Sequence, residues 1–146
     1  MTNGIYHAGL TVRDLERSID FYRDLLGLEV ARRQESSTPY ISQLTGLPGT
    51  HLKVAYLRAP GDEGAYLELI EYVAPIGQPI DTTPCNPGTG HVCFFVADLD
   101  ATYARLSAAG VPFTSPPASI TAGFHAGSKT VYLRDPDDIV LELFQR

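Results

Sequence analysis

Residues 65–72, AYLELIEY, alternate in polarity with a period of two, and residues 139–145, IVLELFQ, repeat the pattern. Such alternation predicts strands that bury one face. THLKVAYLR (50–58) and SKTVYLR (128–134) predict two more strands, and IYHAGLTV (5–12) and HVCFFV (91–96) a further two. LEVARRQ (28–34) and VPFTS (111–115) predict shorter ones. A different period follows Asp14, where Leu15, Ile19, Tyr22 and Leu26 recur at helical spacing; after Asp98, Leu99, Tyr103 and Leu106 do the same. Asp14 and Asp98 stand where an N-cap belongs, and Gly27 and Gly110 end the helices. Residues 36–50 and 115–127 are the two longer loops.

These elements form a repeat. With His7 set on His91, Val12/Val96, Asp14/Asp98, Leu15/Leu99 and Tyr22/Leu106 fall into register. With Tyr56 set on Tyr132, Tyr-Leu-Arg-x-Pro aligns, and Glu68 meets Glu142 after a gap of two residues. Each half therefore reads βαβββ. The prediction is an α+β fold, residues 1–146 as one domain: a first module over about 4–72, a Pro/Gly-rich linker at 73–90, and a second module over about 91–146.

Strand alternation then assigns faces. Leu67 and Leu69 share a face opposite Glu68, and Leu141 and Leu143 share one opposite Glu142. The leucines need an apolar cover, which one helix per module supplies. The carboxylates point the other way, together with Tyr66, Ile70, Val140 and Phe144. On the first strands, Gly9 and Thr11 share the face of His7, and Cys93 and Phe95 that of His91. Facing each other, two helix-backed mixed sheets make a cup, a pair of half-barrels with the helices outside. Its lining holds two His, two Glu and mostly apolar neighbours. Carboxylates there cost several kcal/mol each, roughly, unless paired or metal-bound. His7, Glu68, His91 and Glu142 are a sensible shell for Ni, Zn, Co, Mn or Fe(II). One His or Glu alone reads as structural; their recurrence as two equivalent pairs favours a site. Glu71 is a rival to Glu68 but falls on the leucine side, and its counterpart is Gln145. His51 and His125 read as loop histidines.

Composition narrows the partners. The formal charge is -6 with no Lys/Arg run, which argues against nucleic acid. No apolar run reaches the roughly 20 residues of a membrane span, and the N-terminus carries no signal-peptide pattern. Two cysteines, Cys85 and Cys93, fit a reducing cytoplasm rather than a disulfide scaffold.

The motifs HAGLTVRDLERSIDFYRDLLGLEV, YLELIEY, GHVCFFVADLDATYARLSAAGV and YLRDPDDIVLELFQ resemble the vicinal oxygen chelate superfamily. It includes glyoxalase I, methylmalonyl-CoA epimerase, extradiol dioxygenases and bleomycin resistance proteins. The resemblance implies metal ligands at His7, Glu68, His91 and Glu142, matching the bacterial type of glyoxalase I. The epimerase carries Gln where this chain has Glu68. One departure is DPDDI, where Asp138 replaces a customary glycine.

The resemblance implies a divalent-metal-dependent lyase, isomerase or epimerase acting on a small-molecule substrate, with Glu142 and Glu68 as the bases that move a proton beside a chelated carbonyl. Thr11, Tyr66, Ile70, Cys93, Phe95 and Phe144 are expected to touch substrate, and Lys129 to hold an anionic group on it. An Fe(II) dioxygenase and a non-catalytic resistance-type binding protein are the alternatives. Open sheet edges predict a homodimer.

Overall fold

The computed structural model describes residues 1–146 and divides into two units, Met1–Pro79 and Ile80–Arg146. In the first unit, β1 (His7–Val12), α1 (Leu15–Asp20), β2 (Glu29–Ser36), α2 (Pro39–Thr45), β3 (His51–Arg58) and β4 (Tyr66–Ala74) build a sheet of order β1-β4-β3-β2. In the second, β5 (Val92–Phe95), α3 (Leu99–Ala108), β6 (Ala118–Ser119), β7 (Lys129–Arg134) and β8 (Val140–Gln145) give β5-β8-β7-β6. In both, the first strand pairs parallel to the last and the remaining pairs are antiparallel. The two mixed sheets are open, and the predicted α+β class and the internal repeat are both present.

Local chemistry explains the helices. The Asp14 carboxylate accepts the amide of Arg17 at 3.0 Å and the Asp98 carboxylate that of Ala101 at 2.9 Å, so each caps its helix. Beyond α1 the backbone takes a π-helical turn over Phe21–Leu25, and Gly27, at φ 77°, ends it. Leu15, Ile19 and Tyr22 are buried, as are Ala55, Leu57, Leu67 and Leu69 of the sheet that α1 lies against. In the second unit α3 buries Leu99 and Leu106, and the sheet buries Val131, Leu133, Leu141 and Leu143. Full burial of a leucine is worth about 1.5–3 kcal/mol, so these helix-side faces carry most of the fold's stability.

Two expectations are corrected. Residues 36–50 are not simply a loop: Pro39 opens and Gly46, left-handed at φ 71°, closes α2, which buries only Ile41. That helix covers the far end of the Glu68 face, where Ile41 packs with Leu52, Val54, Tyr56, Ile70 and Tyr72. In the other unit VPFTS forms no strand; Phe113 makes one bridge to Leu133, and the sheet edge is the two-residue β6. The Pro/Gly stretch 73–90 is divided: β4 runs on to Ala74, and residues from Ile80 onward belong to the second unit. There Arg134 donates to the Thr82 hydroxyl oxygen at 2.7 Å and to the Asp138 carbonyl at 2.6 Å, tying the chain at 82 to the turn before β8.

Candidate metal and substrate sites

The parallel pairing of β1 with β4 sets His7 beside Tyr66 and Gly9 beside Glu68. Residues two apart share a face, so the His7 ring and the Glu68 carboxylate meet: Nε2 to Oε2 is 3.1 Å. The second unit repeats this, with His91 Nε2 3.0 Å from Glu142 Oε2. Both histidines are partly open to solvent, their side chains 38% and 42% exposed, while the carboxylates are at 11% and 17%. An imidazole thus opens outward beside a sheltered carboxylate.

The two carboxylates are supported differently in the two units. Tyr56, the register partner of Glu68, hydrogen-bonds that carboxylate; burial first and then this bond push the phenol up to about 12. At Glu142 the partner Tyr132 is raised by burial and by the neighbouring charge. The hydrogen bond there comes from Thr130, whose hydroxyl donates to Glu142 Oε1 at 2.5 Å and also lies 3.0 Å from the Leu143 carbonyl. Gly9 stands beside Glu68, whereas its repeat equivalent Cys93 stands beside Glu142. Partial burial, then the Glu142 charge, push the Cys93 thiol up to about 11.

The donor chemistry suits a divalent transition ion. Each pair brings an imidazole nitrogen and a carboxylate oxygen to 3.1 and 3.0 Å of one another, close enough for both to reach one such ion. A hydroxyl bonded to the carboxylate, as Thr130 to Glu142 and Tyr56 to Glu68, is the usual outer support of such a ligand. No three His, Cys, Asp or Glu side chains gather into a metal-binding group; each unit holds one His–Glu pair.

The expected substrate contacts fare unequally. Tyr66 joins an aromatic ring of four, with centroids 5.6 Å from Tyr6 to both His7 and Tyr66, 6.0 Å from His7 to Tyr56 and 5.8 Å from Tyr56 to Tyr66. Thr11 is exposed beside Ile70 in the register, on the His7 face. Ile70 has that face too, but it packs into the cluster under α2. Phe95 is exposed and 6.4 Å from Phe144, ring to ring. Phe144 also meets His125 at 5.0 Å, so that loop histidine reaches the Glu142 face. Lys129 does not. It pairs with Gln145 in the register, on the helix side, and its ammonium is bound to Asp100. An odd offset from Tyr132 puts it on the wrong face to hold substrate.

Glu71 explains itself here. Its Oε2 accepts the Leu15 amide at 2.8 Å, and Gln145 Oε1 accepts the Leu99 amide at 2.7 Å, so the two are equivalent anchors for helix starts. Sequence reasoning missed Tyr56 and Thr130 as carboxylate supports. Tyr56 was visible as a repeat position, but Thr130 aligns with Val54 and left no symmetric signal.

Comparison with known proteins agrees with this architecture. The Glyoxalase/Bleomycin resistance protein/Dioxygenase superfamily matches residues 4–143. A 2-epi-5-epi-valiolone epimerase from Actinomyces is 31% identical over 143 residues, 95% of this chain and 77% of its own. A probable lactoylglutathione lyase from Vibrio cholerae is 29% identical, covering 97% and 89%. Among solved structures, a glyoxalase-family protein from Bacillus cereus superposes with a TM-score of 0.84 at 20% identity, over 99% of this chain and 95% of that one. A glyoxylase/bleomycin resistance protein/dioxygenase domain from Frankia gives 0.71 at 28% identity, over 99% and 98%. The chain belongs to the glyoxalase/bleomycin resistance protein/dioxygenase superfamily.

Proposed function

We propose that this chain is a divalent-metal-dependent, glyoxalase-like lyase, isomerase or epimerase. The observation that carries the reading is the His–Glu pair built twice in one register, at 3.1 and 3.0 Å. Relatives named lactoylglutathione lyase and epimerase support the class. About one ion among Ni, Zn, Co, Mn and Fe is proposed per set of His7, Glu68, His91 and Glu142, each chain being one domain of a homodimer.

When bound, the ion would stabilise negative charge on neighbouring substrate oxygens. The protein's own residues do the rest. A carboxylate takes the proton from the carbon next to a carbonyl and returns it to the same carbon from the other face, or to the adjacent carbon. Glu142 and Glu68 are the proposed carriers. The Thr130 hydroxyl fixes Glu142 Oε1 and leaves Oε2 beside the His91 imidazole, and the Tyr56 hydroxyl supports the Glu68 carboxylate. Tyr6, Tyr56 and Tyr66 present an aromatic wall with hydroxyl edges, fitted to an oxygen-rich substrate.

Elemental analysis of the purified protein tests the reading. About one divalent ion per four-residue set is expected, with most affinity lost in the His7→Ala/His91→Ala double variant. Unchanged metal content in that variant sinks it. Screening then runs over hemithioacetals, 2-methyl-acyl-CoA thioesters and catechols; strict O2-dependence on catechols would replace proton transfer with ring cleavage.

A further inference from the structure

Arg58 and Arg134 are the same residue of the duplicated Tyr-Leu-Arg-x-Pro element, yet they do different work. Arg134 is engaged by the Thr82 side chain and the Asp138 carbonyl. Arg58 is half-buried, and its one recorded side-chain contact is the face of Tyr66, 5.9 Å from Cζ to the ring centroid. It shares the face of Tyr56, two residues back, and so that of Glu68. On the neighbouring strand Arg32 is the register partner of Tyr56, just past the irregularity between Val30 and Arg32. It too lies on this face, exposed and without an ion pair. Arg32 and Arg58 are therefore diagonal neighbours across β2 and β3. Backbones in that relation stand roughly 7–8 Å apart, and long side chains meet.

Two guanidiniums so placed repel one another unless an anion lies between them. The chain has a surplus of carboxylates, 17 against 11 Lys and Arg, yet none is paired with either arginine. Glu29, opposite Arg58 in the register, is the nearest rival by position and forms no ion pair with it. The same face carries the His7–Glu68 pair one step away.

We infer that Arg32 and Arg58 form a subsite for an oxyanion group, carboxylate or phosphate, on the substrate of the His7–Glu68 face. The inference rests on the proposed function for its role and goes beyond it in naming an anionic substrate class. Planar forks of N–H donors suit either group, and Tyr66 beneath Arg58 holds the guanidinium in place by stacking.

The test uses the full chain stripped of metal with a chelator and desalted, titrated with inorganic phosphate and separately with acetate by amide NMR. Shifts are expected on β2 and β3 around Arg32 and Arg58. Arg58→Gln and Arg32→Gln are each expected to weaken the binding by at least about tenfold. Arg23→Gln, which removes an exposed arginine bound to Asp20 and Asp24, leaves it unchanged. Tighter phosphate identifies a phosphoester substrate, tighter acetate a carboxylate one. Absence of shifts at these strands with both anions, or full affinity in Arg58→Gln, overturns the subsite. Metal content is measured on the same variants: Arg58→Gln keeping wild-type metal while losing phosphate isolates this inference, and a wild-type chain that binds phosphate but no metal sinks the proposed function alone.

Discussion

The Glu71 carboxylate accepts the backbone amide of Leu15 at 2.8 Å, so the last strand of the first unit is fastened to the first turn of its helix. An amide at a helix start has no partner within the helix, and a carboxylate there also meets the positive end of the helix dipole. Gln145 makes the equivalent bond to Leu99 without a charge, which shows that the hydrogen bond suffices. Glu71→Gln is accordingly expected to fall within about 0.5 kcal/mol of wild type, and Glu71→Ala to lose about 1–2 kcal/mol, read by urea unfolding. Metal content should be unaffected in both; a loss in Glu71→Gln would move Glu71 into the ligand set.

Glu142→Gln is expected to cost more in turnover than Glu68→Gln, because the resemblance to methylmalonyl-CoA epimerase implies that Gln is accepted at the Glu68 position. Removing a general base costs about 10²–10⁴-fold. Both variants need metal determination alongside rates on an identified substrate. Wild-type turnover by a metal-replete Glu142→Gln protein contradicts the assignment.

Thr130 holds Glu142 through a 2.5 Å bond and acts only through that carboxylate, so it is a positioning residue. Thr130→Val keeps the shape and removes the donor. Turnover should drop about tenfold with KM nearly unchanged, while Thr130→Ser restores most of it. A general loss of stability in Thr130→Val with normal turnover per folded molecule would leave Thr130 a purely structural role.

Asp138 has φ 67°, the left-handed region that strains any residue with a Cβ. Its carbonyl, not its side chain, receives Arg134 and Thr82. Asp138→Gly relieves the strain, keeps both bonds and is expected to stabilise by about 0.5–1 kcal/mol after the entropy of glycine is counted, seen as a higher midpoint in urea. A lower midpoint would mean that the Asp138 side chain contributes more than its backbone conformation costs.

Much of this was legible in the chain. Parity in YLELIEY separates Glu68 from the leucines and sets it on the face of His7, and the same parity sets Glu142 on the face of His91; both pairs form because alternation is a property of the backbone. The same parity argues against Lys129, three residues from Tyr132, and the structure places it with Asp100 on the helix side. Ile70 faces as alternation says but is covered by α2, whose single buried position, Ile41, leaves no period to detect. Thr130 and Arg58 escape for a shared reason: symmetry highlights what the halves have in common. The work of Thr130 and Arg58 lies where the halves differ.

Glu68 and Glu71 lie three residues apart on one strand and point to opposite faces, as do Glu142 and Gln145. A shift of one position would carry each outward carboxylate into the leucine layer and turn each anchor away from its helix. Misaligned molecules therefore lose both functions together and cannot pass as native. Loading of the His–Glu pairs would then count correctly threaded chains, and a preparation's metal stoichiometry would double as a measure of its folding fidelity.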